Sequence, residues 1–208
     1  MNKQSTLYTI VFIFIVSFSF VFLLSMTNQV TIERVELNQI IARQRAVLAS
    51  MGVDVSDPGR IQEEFDRVFA DEDAGLFARR GDDRVIFAME FVGAGLWGPI
   101  AGFIAVADDF DTMVGIEFVE DNETPGLGGR INEPWFKEQF QGVNISGGRI
   151  RVSVMEPADA SAGRVDGVTG ATRTSDAIES IVNAKLAVIR SDETREQFRN
   201  LLESGGDA

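Results

Sequence analysis

The 208-residue chain has no histidine and no cysteine, and its 19 basic residues are outnumbered by 32 acidic ones, a formal net charge of −13. Each lack closes off a class of function. Without cysteine there is no disulfide framework, no thiolate nucleophile and no iron–sulfur cluster held by thiolates. Without histidine the chain loses the side chain that changes charge near neutral pH, which is also the commonest metal ligand. The acidic excess argues against nucleic acid as a partner, because phosphates recruit basic surfaces. Absence of cysteine suits either side of a membrane and does not choose between them. Any redox chemistry must therefore reside in a bound organic cofactor.

What is present begins with an uncharged run over residues 7–26, dominated by Ile, Val, Phe and Leu. A helix of that length matches a hydrocarbon core of roughly 30 Å, which predicts a membrane anchor. Lys3 and the N-terminal amine ahead of it favour a cytoplasmic N-terminus and an exported body, although Arg34, Arg43 and Arg45 lie beyond it, mixed with Glu33 and Glu36. A cleaved signal peptide is the competing reading; the apolar core is long for one, and no small-x-small site follows.

After the anchor, Val35, Leu37, Ile40, Ile41, Val47, Leu48 and Met51 recur at near-helical spacing. They predict an amphipathic helix that continues from the membrane and packs against its own domain. Asp57-Pro58 reads as an N-cap followed by proline at the first helical position, with Ile61, Phe65, Val68 and Phe69 on one face. Asp71-Glu72-Asp73 reads as a solvated connection. From Arg84 the period changes, and residues 85–92, 100–107, 113–120 and 150–154 read as strands rich in β-branched and aromatic residues. A hairpin turn is expected at 108–111, and a short amphipathic helix opens at Asn132-Glu133-Pro134-Trp135-Phe136. The last helix is expected to start at Asp176, capped by Asp176 and Glu179, with Ile178, Ile181, Val182, Leu186 and Ile189 as its apolar stripe. The expected fold class is α+β: a single N-terminal transmembrane helix, then one domain with a mainly antiparallel sheet and flanking helices. The expected boundaries are 1–28 for the anchor, 29–80 for a helical stalk and connection, 81–190 for the domain, and 191–208 for a helix end and loose tail.

The segment with most chemical content is Asp166-Gly167-Val168-Thr169-Gly170-Ala171-Thr172-Arg173-Thr174-Ser175. Two glycines allow a tight backbone path, and four hydroxyls precede the expected helix start. Unpaired N–H groups and a partial positive charge at such an end suit a phosphate. A Thr/Ser-rich loop leading to an ordinary N-cap is the bland alternative. The segment resembles the flavinylation motif of the FMN-binding domain found in the NqrC component of the Na+-translocating NADH:quinone reductase and in the related RnfG component of the Rnf complex. In that family the pattern is Asp-x-x-Ser/Thr-Gly-Ala-Thr-x-Thr, whose last Thr carries FMN through a phosphoester. Asp166, Thr169, Gly170, Ala171, Thr172 and Thr174 match it, and Ser175 fits the common ending. The resemblance makes Thr174 the flavinylated residue.

A second block, Glu123-Thr124-Pro125-Gly126-Leu127-Gly128, matches the family's Glu-Thr-Pro-Gly-Leu-Gly, which lies close to the flavin. By itself it is a turn whose backbone could approach a flat ring closely. Gly95-Leu96-Trp97 matches the Gly-Leu-Trp that reductase-type members carry before a β-hairpin. Trp97 then either shields one flavin face or is a core tryptophan whose N–H finds a carbonyl.

The resemblance implies an FMN-carrying electron-transfer subunit of a membrane-bound, ion-translocating NADH:quinone reductase, with no complete catalytic site on this chain alone. It implies other pump subunits and a flavin transferase as partners, the bilayer through residues 7–26, and no nucleic acid. It places the protein in the bacterial cytoplasmic (inner) membrane, single-pass, with the FMN domain outside the cytoplasm. Asp166 is expected to help present the acceptor. Gly95-Leu96-Trp97, the Pro-Gly-Leu-Gly-Gly run at 125–129 and Val165-Asp166-Gly167 with Asn183 lean towards the quinone-reductase component, whereas the shorter length and the lack of the His that often precedes the Glu-Thr-Pro block, where Asp121-Asn122 stand, lean towards Rnf. An FMN domain of a membrane redox sensor and a cofactor-free module are the alternatives from other classes.

Overall fold

The structure is a computed structural model that describes residues 6–81 and 83–204. Its first element is one continuous helix, α1 (Thr6–Ser50), long and apolar enough over its N-terminal part to cross a membrane. The chain divides into two compact units, one through Ile41 and one from Ala42 onward. Helix α1 stops at Gly52, whose φ of 77° permits a left-handed turn. There Val53 N donates to Leu48 O at 3.0 Å and Gly52 N to Ala49 O at 3.0 Å, the paired bonds of a Schellman ending.

The second unit is built on a five-stranded antiparallel meander in sequential order: β1 (Val68–Asp71), β2 (Leu76–Arg80), β3 (Val85–Ala94), β4 (Pro99–Ala107) and β5 (Met113–Glu120). Alternation sends successive side chains to opposite faces, and both faces are covered. One face carries Phe77, Ala88, Phe103 and Ala105 against Ala46, Val47 and Met51 at the end of α1. Arg43 reinforces this seam, bonding Glu90 at 2.8 Å and lying 5.7 Å from the Phe103 ring. The other face carries Leu76, Ala78, Phe87, Phe91, Ile100, Ile104 and Val106. It is buried by α3 (Pro134–Glu138), α4 (Thr172–Ile189), α5 (Asp192–Ser204) and the segments between them. A two-stranded parallel sheet, β6 (Arg151–Ser153) with β7 (Arg164–Asp166), lies beside α4.

The α+β class, the three long strands and the 108–111 hairpin are as expected. In the unit from Ala42 onward the expected packing stripe is buried at Val47, Leu48 and Met51. Four details differ. Asp57 does cap, accepting from Gly59 N at 2.9 Å, but the turn it starts (Pro58–Arg60) leads to a short helix, α2 (Ile61–Phe65). Val68 and Phe69 fall outside that helix, in strand β1, because β2 supplies an antiparallel partner across the Asp71–Leu76 register. The 150–154 segment pairs with β7, apart from the main sheet. Helix α5, expected only as a helix end, carries a fully buried Phe198 whose ring lies 4.6 Å from that of Phe87. The tail after Gly205, expected to be loose, lies outside the described residues.

Candidate functional site

Helix α4 begins four residues earlier than its charge pattern suggests, at Thr172, with Ala171 as an N-cap that offers no side-chain bond. The reason is local. Gly170 takes a φ of 83°, and the buried Ser175 hydroxyl ties the turn by accepting from Val168 N at 3.0 Å and donating to Ala171 O at 3.1 Å. Asp176 therefore does not cap, and Glu179 accepts from Val152 N at 2.8 Å, fastening β6 to the helix. Thr172, Thr174 and Ser175 thus belong to the first turn of an 18-residue helix.

Thr174 is 1% exposed, and its hydroxyl donates to Glu123 Oε2 at 2.7 Å. Glu123 is 6% exposed, and its other oxygen, Oε1, accepts from Leu96 N at 2.7 Å and Trp97 N at 3.2 Å. Three segments distant in the chain therefore meet on one carboxylate: the β3–β4 turn, the 123–129 loop and the start of α4. The meeting needs glycine twice. A Cβ on Gly128 would stand 2.6 Å from both Glu123 Oε2 and Thr174 Oγ1, and one on Gly95 would stand 2.5 Å from Glu123 Oε1.

Around this buried pair the surface is apolar. Leu96, Trp97 and Leu127 are all exposed, Trp97 by 69%. The core-tryptophan reading of Trp97 is therefore wrong: residues 95–98 are the tip of the hairpin itself, held by Gly95 N to Gly98 O at 2.8 Å, and the indole faces solvent. Thr124 turns the loop through its carbonyl, which accepts from Leu127 N at 3.1 Å and Gly129 N at 3.0 Å. Leu127 lies against the motif turn, since a Cβ on Gly170 would meet Leu127 Cδ2 at 3.5 Å.

Two cavities flank the motif. One, of about 420 Å³, is lined by Asp166, Gly167, Thr169, Arg130, Trp135 and the 153–157 turn. The other, of about 620 Å³, is lined by Thr172, Ser175, Asp176 and Glu179 with Arg149 and Arg151 among its other walls. Neither includes Thr174 or Glu123, so the hydroxyl opens into neither. Asp166, expected to help present the acceptor, sits in β7 with its backbone bonded to the Gln139 side chain, and its carboxylate makes no hydrogen bond to Thr174. Glu123 holds the Thr174 hydroxyl instead. At the rim of the smaller cavity, the Trp135 indole N–H and then Arg130 hold the Glu133 carboxyl below the usual range.

Asn183 also does more than a surface residue. Its Oδ1 accepts from Ile150 N at 2.7 Å and its Nδ2 donates to Ile150 O at 3.0 Å, so it locks the chain entering β6 to α4. Its sequence signals were its place on the helix next to the apolar stripe and its match to an Asn of the reductase-type members.

Residues 95–187 match the model of the FMN-binding domain. The matched span opens at Gly95 and contains Glu123, Gly128 and Thr174, every segment that meets at the buried carboxylate. The chain is similar to the NqrC component of the Na(+)-translocating NADH-quinone reductase from Chlamydia pneumoniae, at 34% identity over 47% of this chain and 37% of that protein. It is similar to the corresponding protein of Vibrio anguillarum at 30% identity over 54% of this chain and 50% of that one. The chain thus spans half or less of the length of these curated relatives. Among solved structures, the same reductase component from Parabacteroides distasonis superposes with a TM-score of 0.63 at 25% identity, covering 75% of this chain and 94% of that one. Shewanella oneidensis NqrC shares the fold, with a TM-score of 0.61 at 21% identity over 77% and 96% of the two chains.

Proposed function

We propose that this chain is the FMN-carrying electron-transfer subunit of a membrane-bound Na+-translocating NADH:quinone reductase, with FMN joined through its phosphate to Thr174. The observation that supports this most is the convergence of three family-like segments on the Thr174–Glu123 pair, with two glycines at the points where any side chain would break it. Bound FMN supplies the one- and two-electron chemistry that no side chain of this composition offers.

The residues present fit such a group. The start of α4 has no side-chain cap, so its first N–H groups remain available to a phosphate, and the helix field favours negative charge there. Exposed Leu96, Trp97 and Leu127 provide apolar area for a flat ring. The fit also sets a condition. Thr174 is sealed in the conformation described, with Gly128 against its hydroxyl, so attachment requires the 124–129 loop to move. A covalent tether prevents loss of the cofactor to a dilute compartment. The surrounding negative charge disfavours an anionic reduced flavin and so lowers its potential.

In this reading a separate flavin transferase attaches the cofactor, α1 anchors the chain in the bacterial cytoplasmic membrane, and the domain from Ala42 lies outside the cytoplasm. The flavin receives electrons from one partner in the complex and passes them to another. The ion path belongs to those partners, because residues 7–26 carry no ionisable group other than the Tyr8 phenol to line one. The test is co-expression with a flavin transferase, denaturing electrophoresis and intact mass. Wild type should give a fluorescent band and the added mass of FMN, and Thr174→Ala neither. A bare polypeptide mass for wild type would sink the assignment.

A further inference from the structure

We propose that the Glu123 carboxylate is the catalytic base that takes the proton from Thr174 Oγ1 as this oxygen forms its phosphoester, so the acceptor chain supplies part of the chemistry of its own modification. The proposal rests on the reading of Thr174 as the FMN acceptor. A threonine hydroxyl is a weak nucleophile unless a neighbouring group accepts its proton. Glu123 Oε2 already accepts that proton in a hydrogen bond of 2.7 Å, inside the reach a general base requires.

The division of labour within the carboxylate separates this role from simple bracing. Oε1 takes both backbone N–H groups of the hairpin tip, from Leu96 and Trp97, and this holds the carboxylate in place. Oε2 is left for the hydroxyl. The two glycines keep side chains away from both oxygens, with would-be Cβ distances of 2.5 Å at Gly95 and 2.6 Å at Gly128. No other side chain among the described residues hydrogen-bonds the Thr174 hydroxyl.

The step balances with a flavin dinucleotide as co-reactant. Thr174 Oγ1 forms a bond to the phosphorus that bears the riboflavin, and the bond from that phosphorus to the bridging pyrophosphate oxygen breaks. A nucleoside monophosphate leaves with the electron pair, the hydroxyl proton passes to Glu123 and then to solvent, and nothing is oxidised or reduced. Access requires the Leu127–Gly128 peptide to lift from the hydroxyl while the hairpin tip keeps its hold on Oε1.

The experiment uses the full chain in detergent with purified flavin transferase, flavin adenine dinucleotide and Mg2+, and follows loading by intact mass and by fluorescence of the denatured band. Glu123→Gln keeps the shape and both hairpin contacts but removes the base, so loading at saturating acceptor should slow by about 10²-fold. The acceptor concentration for half-maximal rate should stay within a few-fold of wild type. Glu123→Asp keeps the charge but draws it back from Oγ1, and should load at an intermediate rate. Loading of Glu123→Gln within about three-fold of wild type, or a loss confined to apparent acceptor affinity, overturns the proposal. If the Gln variant does not fold, Glu123→Asp decides, and a wild-type rate for it overturns the proposal equally. Wild type that takes no flavin, or takes it elsewhere than Thr174, overturns the functional reading itself; wild type loaded at Thr174 with an unaffected Gln variant overturns only the base.

Discussion

Replacing Gly128 by alanine tests the geometry of the site with one methyl group. Gly128 does not have a positive φ, so backbone strain is not the issue; space is. The added Cβ would stand 2.6 Å from Glu123 Oε2 and from Thr174 Oγ1, about 0.8 Å inside ordinary van der Waals contact near 3.4 Å. Both contacted atoms are buried and bonded to each other, so relief requires parting them. Overpacking of a tight interior costs about 1–3 kcal/mol. Losing a hydrogen bond to a buried charged group costs a further ~1–3 kcal/mol. With roughly 2–4 °C of melting temperature per kcal/mol for a domain of this size, Gly128→Ala should melt roughly 4–24 °C below wild type. It should also load flavin poorly.

The control is Gly126→Ala in the same loop. Gly126 has a φ of 75° and nothing within 4 Å of a would-be Cβ, so only the left-handed backbone is penalised. That costs about 1 kcal/mol and should leave flavin loading intact. Thermal melts of the three full-length proteins by circular dichroism, with in-gel flavin fluorescence, make the comparison. If Gly128→Ala melts no lower than Gly126→Ala and loads like wild type, the close approach of the 123–129 loop to Thr174 is wrong.

Two further outcomes follow from the framework that carries the site. Asn183→Ala removes both bonds to the Ile150 backbone, costing about 1–3 kcal/mol; amide exchange at Ile150 should accelerate with a lowered melting temperature, and unchanged protection there would refute the clamp. Glu64 is buried on α2, where desolvation works to raise its pKa but Arg79, Arg67 and Arg60 overcome it, so its folded value lies below the ordinary one. A lowered folded pKa means the cluster stabilises fully above the usual glutamate range and loses that contribution as pH falls through the depressed value. Melting temperature should therefore decline in that acidic window for wild type, and less steeply for Glu64→Gln; parallel pH profiles would count against it.

Local pattern carried much of this protein. The uncharged run at 7–26, the alternation through 85–120 and the stripe from Ile178 to Ile189 each depend on neighbours a few residues apart, and each forms the element its period implies. Short elements were less legible. Strands of three or four residues, such as β1 and β7, have too few positions to show a period and exist because a partner strand lies beside them. Helix α5 is charged enough to read as solvated tail, and only the aromatic pocket of Phe87 and Phe110 gives Phe198 a place.

The motif residues themselves could be picked out one after another along the chain: Thr174 in a hydroxyl-rich segment ahead of a helix, Glu123 and Leu127 in a glycine turn, Trp97 near a hairpin. Their relations could not. The bond from Thr174 to Glu123 spans 51 residues, and the bonds from Leu96 and Trp97 to the same carboxylate span 27 and 26. Periodicity reports which face a residue occupies within its own helix or strand; it has no term for which distant hydroxyl a carboxylate will meet. That pairing, the early start of α4, the solvent-facing indole of Trp97 and the choice of Glu123 over Asp166 as partner of Thr174 arise only when the meander, the loop and the helix pack into one volume, where a buried charge must find donors wherever the backbone brings them.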